Sequence, residues 1–177
     1  MKGYDFNKNI FHLSAELGVP FGVFLSIGSV ASLFSDKVPH LGNISLLIFL
    51  GAPIILFLLQ RKRFVASNGF ATFSELWALG NFTSLGGALI MAFATYMTIT
   101  FLRPNAIYEQ MQYIINNFTT IDKGMSRTFQ EMIDKRALPT PIYFSMLEFW
   151  LIASFGCIGG AITAIIACKT PLKKKDA

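Results

Sequence analysis

The sequence predicts an all-α membrane protein: four transmembrane helices in an antiparallel bundle, with short amphipathic helices in the long loop between the third and fourth. Three observations carry this. Of 177 residues, 53% are hydrophobic and only 14% are Asp, Glu, Lys or Arg, whereas a soluble domain carries about a quarter charged residues. The mean hydropathy is +0.52. The few charges are also unevenly spread, leaving four uncharged runs of the roughly 20 residues that cross a bilayer as one helix. Abundant Phe and Gly agree, since aromatic and small residues are frequent in membrane helices. The same composition excludes a disordered chain, a collagen and a disulfide scaffold. Helices are expected because backbone groups in lipid must bond within their own segment, and no alternating barrel strands are seen.

The chain reads as one transmembrane domain over residues 1–177, with spans near 15–35, 41–60, 74–102 and 142–168 and an outer loop 103–141. Leu17–Ser35 lies between Glu16 and Asp36, and is expected to stay as a signal anchor, since Met1–Phe11 shows no cleavable signal peptide. The turn Asp36–His40, with Pro39, makes the first two helices antiparallel neighbours. Val38–Gln60 contains Pro53, a candidate kink, and ends at Arg61. Arg61–Ser74 is expected to be a loop with a turn at Ser67-Asn68-Gly69. Thr72 or Ser74 is placed to cap the third helix, with Glu75 in its first turn. The run Leu76–Leu102 would reach roughly 40 Å at 1.5 Å per residue, so it tilts or protrudes.

In the outer loop, Ile107, Met111, Ile114, Ile115 and Phe118 share a helical face, as do Phe129, Met132 and Ile133. A break is expected near Asp122–Ser126, with the apolar faces lying on the membrane or capping the bundle. A partner-binding lid is the sharper reading of this loop. Thr140 and Pro141 are placed to cap and open the fourth helix, Phe149–Cys168 being its uncharged core.

Basic residues orient the chain. Nine fall on the side of the termini (Lys2, Lys8, Arg61–Arg63, Lys169, Lys173–Lys175) and six on the other, four of them in the long loop. Both termini are therefore expected in the cytoplasm. The net charge of +5 then forms a cytoplasmic collar suited to anionic headgroups rather than to nucleic acid.

Small residues four apart mark packing faces: Gly80, Ser84, Ala88 and Ala92 on the third helix, and Gly156, Gly160, Ala164 and Cys168 on the fourth. These ridges are expected to meet each other, or one of them to face a second copy. Gly18, Gly22 and Ser26 form a weaker set on the first helix. Candidate polar-site residues are Glu16, Glu75, Asn81 and Glu148, with His12 beside Glu16. The carboxylates border the uncharged runs and read as interfacial groups, with Arg61–Arg63 as partners for Glu75. Alternatively Glu16, Glu75 and His12 form a cytoplasmic-side polar site. Asn81 reads as an interhelical hydrogen bonder, Thr95, Thr98 and Thr100 as bonded back to their own helix, and Trp77 and Trp150 as belt aromatics.

No catalytic residue, cofactor site or metal-ligand cluster is read, and Cys157 and Cys168, roughly 16 Å apart on one helix, are too distant for a disulfide. The expectation is a non-enzymatic accessory or scaffold subunit in the lipid bilayer, as a homo-oligomer or within a larger complex. A small transporter or channel component is the alternative from another class, and a lipid-handling membrane enzyme a weaker third.

Three segments also carry a likeness: Gly69-Phe-Ala-Thr-Phe-Ser-Glu75, Gly124-Met-Ser126, and Thr140-Pro141 opening a glycine-rich last helix that ends in lysines. With four spans in so short a chain, the sequence resembles the family called domain of unknown function 4199, found mainly in Bacteroidetes-type bacteria. Here Arg127 and Thr128 stand where more acidic residues are expected. The resemblance implies a bacterial inner-membrane protein and brings no activity, cofactor or catalytic residue.

Overall fold

The computed structural model describes residues 6, 9–118, 123–135 and 138–170. All its regular elements are helical: α1 (Ile10–Leu33), α2 (Pro39–Ala66), α3 (Phe73–Met97) continued by a π-helical turn (Thr98–Leu102), α4 (Ala106–Phe118), α5 (Lys123–Asp134) and α6 (Pro141–Lys169). Four of them are long and apolar enough to cross a membrane. The protein is thus a multi-pass membrane protein with the predicted helical-bundle architecture.

Local chemistry explains the ends. Asn9 caps α1 by accepting from the Phe11 amide at 3.0 Å. Thr72 and Glu75 form a capping box on α3, each side chain taking the other's backbone amide at 3.3 Å. Thr140 caps α6 with Pro141 at its first position. Between α2 and α3 the chain reverses through Asn68 and Gly69 at φ 53° and 85°, a left-handed pair that glycine adopts without penalty. In contrast to the expected loop, α2 runs on through Arg61–Ala66, because long basic side chains are good helix formers once the helix has left the apolar layer.

Successive spans run antiparallel, but the broadest interface joins the non-consecutive α1 and α3. α3 is the hub, packing most extensively on α1 and then on α6, while α2 closes a ring by touching α1 and α6. Missing side chains allow the α3 interfaces. A Cβ on Gly22 would sit 3.1 Å from Gly87 Cα, and one on Gly80 would sit 3.3 Å from Gly160 Cα. α1 and α3 lie parallel, Gly18 against Gly86 and Gly22 against Gly87. Only half of this contact is visible in small-residue spacing, because Gly86 and Gly87 are adjacent and lie off the Gly80–Ser84 row. α2 is the least buried span.

The core is tiered. Leu13, Leu17 and Leu79, and beside them Ala71, Leu76, Ala164 and Ala167, fill the end nearest the N-terminus. Phe21, Leu25, Leu56 and Met91 fill the middle. Leu33, Ile99, Ala106 and Ile107 fill the far end, so the apolar face of α4 caps the bundle. Gln110 on α4 reinforces this, donating to Ser32 O at 3.0 Å. The break expected near Asp122–Ser126 is not found over its described part. Asp122 lies outside the described residues, and Lys123–Ser126 already belong to α5.

Candidate functional site

Two polar constellations occupy the end of the bundle that carries α4, and each takes a residue read from sequence as a mere border charge. The deeper one centres on Glu148. Since α6 starts at Pro141, Glu148 lies about 10 Å along the helix, at 1.5 Å per residue. It pairs with hydroxyls of two other helices rather than with the nearby base expected from the charge pattern. It turns inward between α1 and α3. Thr95 donates to its Oε2 at 2.8 Å, and Ser29 lies 3.1 Å from Oε2 and 3.4 Å from Oε1. The Ser29 and Thr95 hydroxyls are themselves 2.6 Å apart. Thr98 does bond back to its own helix, at Ala94 O, but Thr95 does not, because a stronger acceptor is within reach.

The outer constellation centres on Arg103, which is only 5% exposed. The π-helical turn ends there, with Arg103 N bonded to Thr98 O at 2.8 Å, and this turns the side chain back over the bundle. Its guanidinium makes a two-pronged pair with Asp36, Nη1 to Oδ1 at 2.8 Å and Nη2 to Oδ2 at 2.9 Å. It also donates to Leu33 O, one of the terminal carbonyls of α1, and to Glu109 on α4. Its Cζ stands 5.0 Å from the Phe34 ring centroid. Lys37 Nζ reaches Glu109 at 3.7 Å. Two cations thus meet two carboxylates, and the group is formally neutral.

The Arg103 hydrogen bond, aided by its charge, holds the Asp36 carboxyl below the usual carboxylate range against the opposing effect of burial. Asp36 therefore contributes stability fully at neutral pH. That contribution is lost as pH falls below the unfolded-state value and through the depressed native one. The melting temperature of the wild type should exceed that of Asp36→Asn at pH 7, and the gap should close as the pH drops below the ordinary carboxylate range. A gap independent of pH would contradict this account.

At the opposite end Gln60, fully buried, donates from Nε2 to Leu76 O at 3.0 Å and Gly160 O at 2.9 Å, tying α2 to α3 and α6. Its Oε1 and the hydroxyls of Thr83 and Ser84 are buried with no hydrogen-bond partner among the described residues. Sequence reading passed over Gln60 as the last uncharged residue before Arg61.

The remaining candidates are dispersed. Glu16 pairs with His12 at 3.1 Å, one turn apart on α1. Glu75 is engaged by the capping box. Arg61 and Arg63 do not serve it as expected, since they donate to backbone carbonyls, Arg61 to Ala167 O and Thr170 O and Arg63 to Phe6 O. Helix-end carbonyls left unpaired by α6 are the better acceptors for Arg61. Asn81 is half-buried, its backbone against Gly160, and its side chain has no hydrogen bond among the described residues. Trp77 is no belt aromatic, because its indole faces α6 and donates to Cys157 O at 3.0 Å, whereas Trp150 is exposed. Of the ridge residues, Gly80 meets Gly160 and Ser84 meets Gly156, while Ala88, Ala92 and Ala164 are buried. Lys2, Lys8, Arg136 and Lys173–Lys175 lie outside the described residues.

Residues 16–169 match the family described as Protein of unknown function (DUF4199). The chain belongs to this family. No curated protein and no solved structure matches it. The DUF4199 match takes in Ser29, Thr95 and Glu148 as well as Asp36, Arg103 and Glu109, so both constellations lie within the family region. It also contains the Gly69–Glu75, Gly124–Ser126 and Thr140–Pro141 segments on which the resemblance rests. No group of three or more His, Cys, Asp or Glu among the described residues of this DUF4199 protein could hold a metal ion.

Proposed function

We propose that this DUF4199 protein is a non-enzymatic accessory or scaffold subunit of a bacterial inner-membrane assembly, with both termini in the cytoplasm. One observation carries the reading. Two polar clusters of the interior stand at separate levels, Gln60 with Thr83 and Ser84, and Ser29 with Thr95 and the partly buried Glu148. The Phe21–Leu25–Leu56–Met91 tier lies between them. From Ser84 to Thr95 along α3 is about 16 Å at 1.5 Å per residue. A polar route through this bundle would have to cross that dry layer, while the same interior suits a rigid body joined across helices. The barely buried α2 leaves a long apolar face for a neighbour in the membrane. The basic residues Arg61–Arg63 and Lys169 at the terminal side support the cytoplasmic orientation.

Mild solubilisation of native membranes should yield a defined homo-oligomer or a stoichiometric partner. A stable monomer that by itself catalyses a reaction or moves a solute would overturn the reading. A transporter component is the second reading, and the partly buried Glu148 favours it, since ionisable groups within spans commonly mark ion or proton paths. On that reading purified protein in liposomes shows a flux that Glu148→Gln abolishes.

A further inference from the structure

We propose that Ser29, Thr95 and Glu148 form a proton-binding site, in which Glu148 carries a proton that closes a ring of hydrogen bonds between α1, α3 and α6. The argument is a count of protons against contacts. Three oxygens stand in a triangle: Ser29 Oγ to Thr95 Oγ1 at 2.6 Å, Thr95 Oγ1 to Glu148 Oε2 at 2.8 Å, and Ser29 Oγ to Glu148 Oε2 at 3.1 Å. Each side is of hydrogen-bond length and needs one proton. The two hydroxyls supply one each, and an ionised carboxylate supplies none. With Glu148 ionised, one side holds two facing oxygens and no hydrogen. If both hydroxyls turn to the carboxylate, that side is the shortest, at 2.6 Å. A third proton on the carboxyl lets every oxygen donate once and accept once around the ring.

The surroundings agree. Among the described residues no cation pairs with Glu148, whose side-chain hydrogen bonds run to Ser29 and Thr95. At this end Arg103, Lys37, Asp36 and Glu109 bond one another. On the elements packed around α6, the other titratable groups at this level are Tyr96 on α3 and His40 at the exposed start of α2. On α6 itself there is Tyr143, which is exposed, and none of the three bonds Glu148. An unpaired charge buried in a spanning segment is costly, while a neutral hydrogen-bonded acid is not. Apolar tiers lie on both sides of it along the bundle, Phe21–Leu25–Leu56–Met91 and Leu33–Ile99–Ala106–Ile107. The proposal does not depend on the scaffold reading, since a static subunit and a transporter can both hold this proton.

The test is infrared difference spectroscopy on the full-length protein in lipid nanodiscs at pH 7. The wild type should show the C=O stretch of a protonated carboxylic acid that shifts slowly in D2O. Glu148→Gln should lack it and remain folded, because the amide is nearly isosteric with the neutral acid. A carboxylate pair lost in Glu148→Gln, with no change in the acid region, would overturn the proposal. Should Glu148→Gln not fold, Thr95→Val and Ser29→Ala serve in its place. Each removes two of the three sides of the ring and should move the acid band. A band unmoved by either variant would equally overturn the assignment.

Discussion

Arg103→Ala is expected to destabilise the bundle by about 3–5 kcal/mol, the usual loss when one member of a buried ion pair is removed. The size comes from what stays behind. Asp36 is only 10% exposed at its side chain, and without Arg103 it keeps its charge and loses both guanidinium hydrogen bonds. Leu33 O, at the end of α1, and Glu109, on the capping helix α4, lose a donor too. Arg103→Lys should recover only part of the loss, since an ammonium cannot serve both Asp36 oxygens with the same planar fork. Unfolding in mixed micelles, followed by tryptophan fluorescence, measures this. The double variant Arg103→Ala/Asp36→Ala should be more stable than Arg103→Ala alone, because the orphaned carboxylate is gone. Equal stabilities would mean that the pair is not a unit.

Gly156→Ala is the second change with a large expected effect, about 1–3 kcal/mol as for other overpacked sites. A Cβ at Gly156 would lie 2.2 Å from Ser84 Cβ and 2.6 Å from Ser84 Oγ, so α3 and α6 must separate to admit it. Gly159→Ala provides the internal control. Nothing lies within 4 Å of a Cβ there, and that variant should be neutral. Adding Ser84→Gly to Gly156→Ala removes the obstructing atom and should restore much of the loss. The same unfolding assay decides. If Gly156→Ala and Gly159→Ala behave alike, the close approach of Gly156 to Ser84 is not a determinant of stability.

These residues also mark what the sequence could and could not reveal. Membrane spans are legible because lipid excludes charge along a whole segment, a signal summed over some 20 residues. Helix starts such as Thr72–Glu75 and Thr140–Pro141 are legible because capping is local, its partners only three residues apart. The candidate site is of another kind. Thr95 and Glu148 are 53 residues apart, Ser29 and Glu148 119 apart, and Asp36 and Arg103 67 apart. Each looks like a boundary charge or an ordinary hydroxyl until the helices are assembled. Taking the first carboxylate as the edge of a span hides the partners of Glu148, because that rule presumes the residue faces water. Here two hydroxyls from other helices replace water. Gln60 escaped for a related reason, being apolar enough to sit inside a run yet polar enough to bridge three helices.

The parallel α1–α3 interface has a consequence for biosynthesis. Helices enter the membrane in chain order, yet the surface of α1 that carries Gly18 and Gly22 finds its partner only when α3 arrives. Until then α1 and α2 form a provisional hairpin held through Gly28 against Ile48 and Gly51 against Phe24. Until the third helix arrives, the first two present a small-residue groove to lipid. The fold is completed from its middle, when the third helix fills that groove and offers its other face to the last.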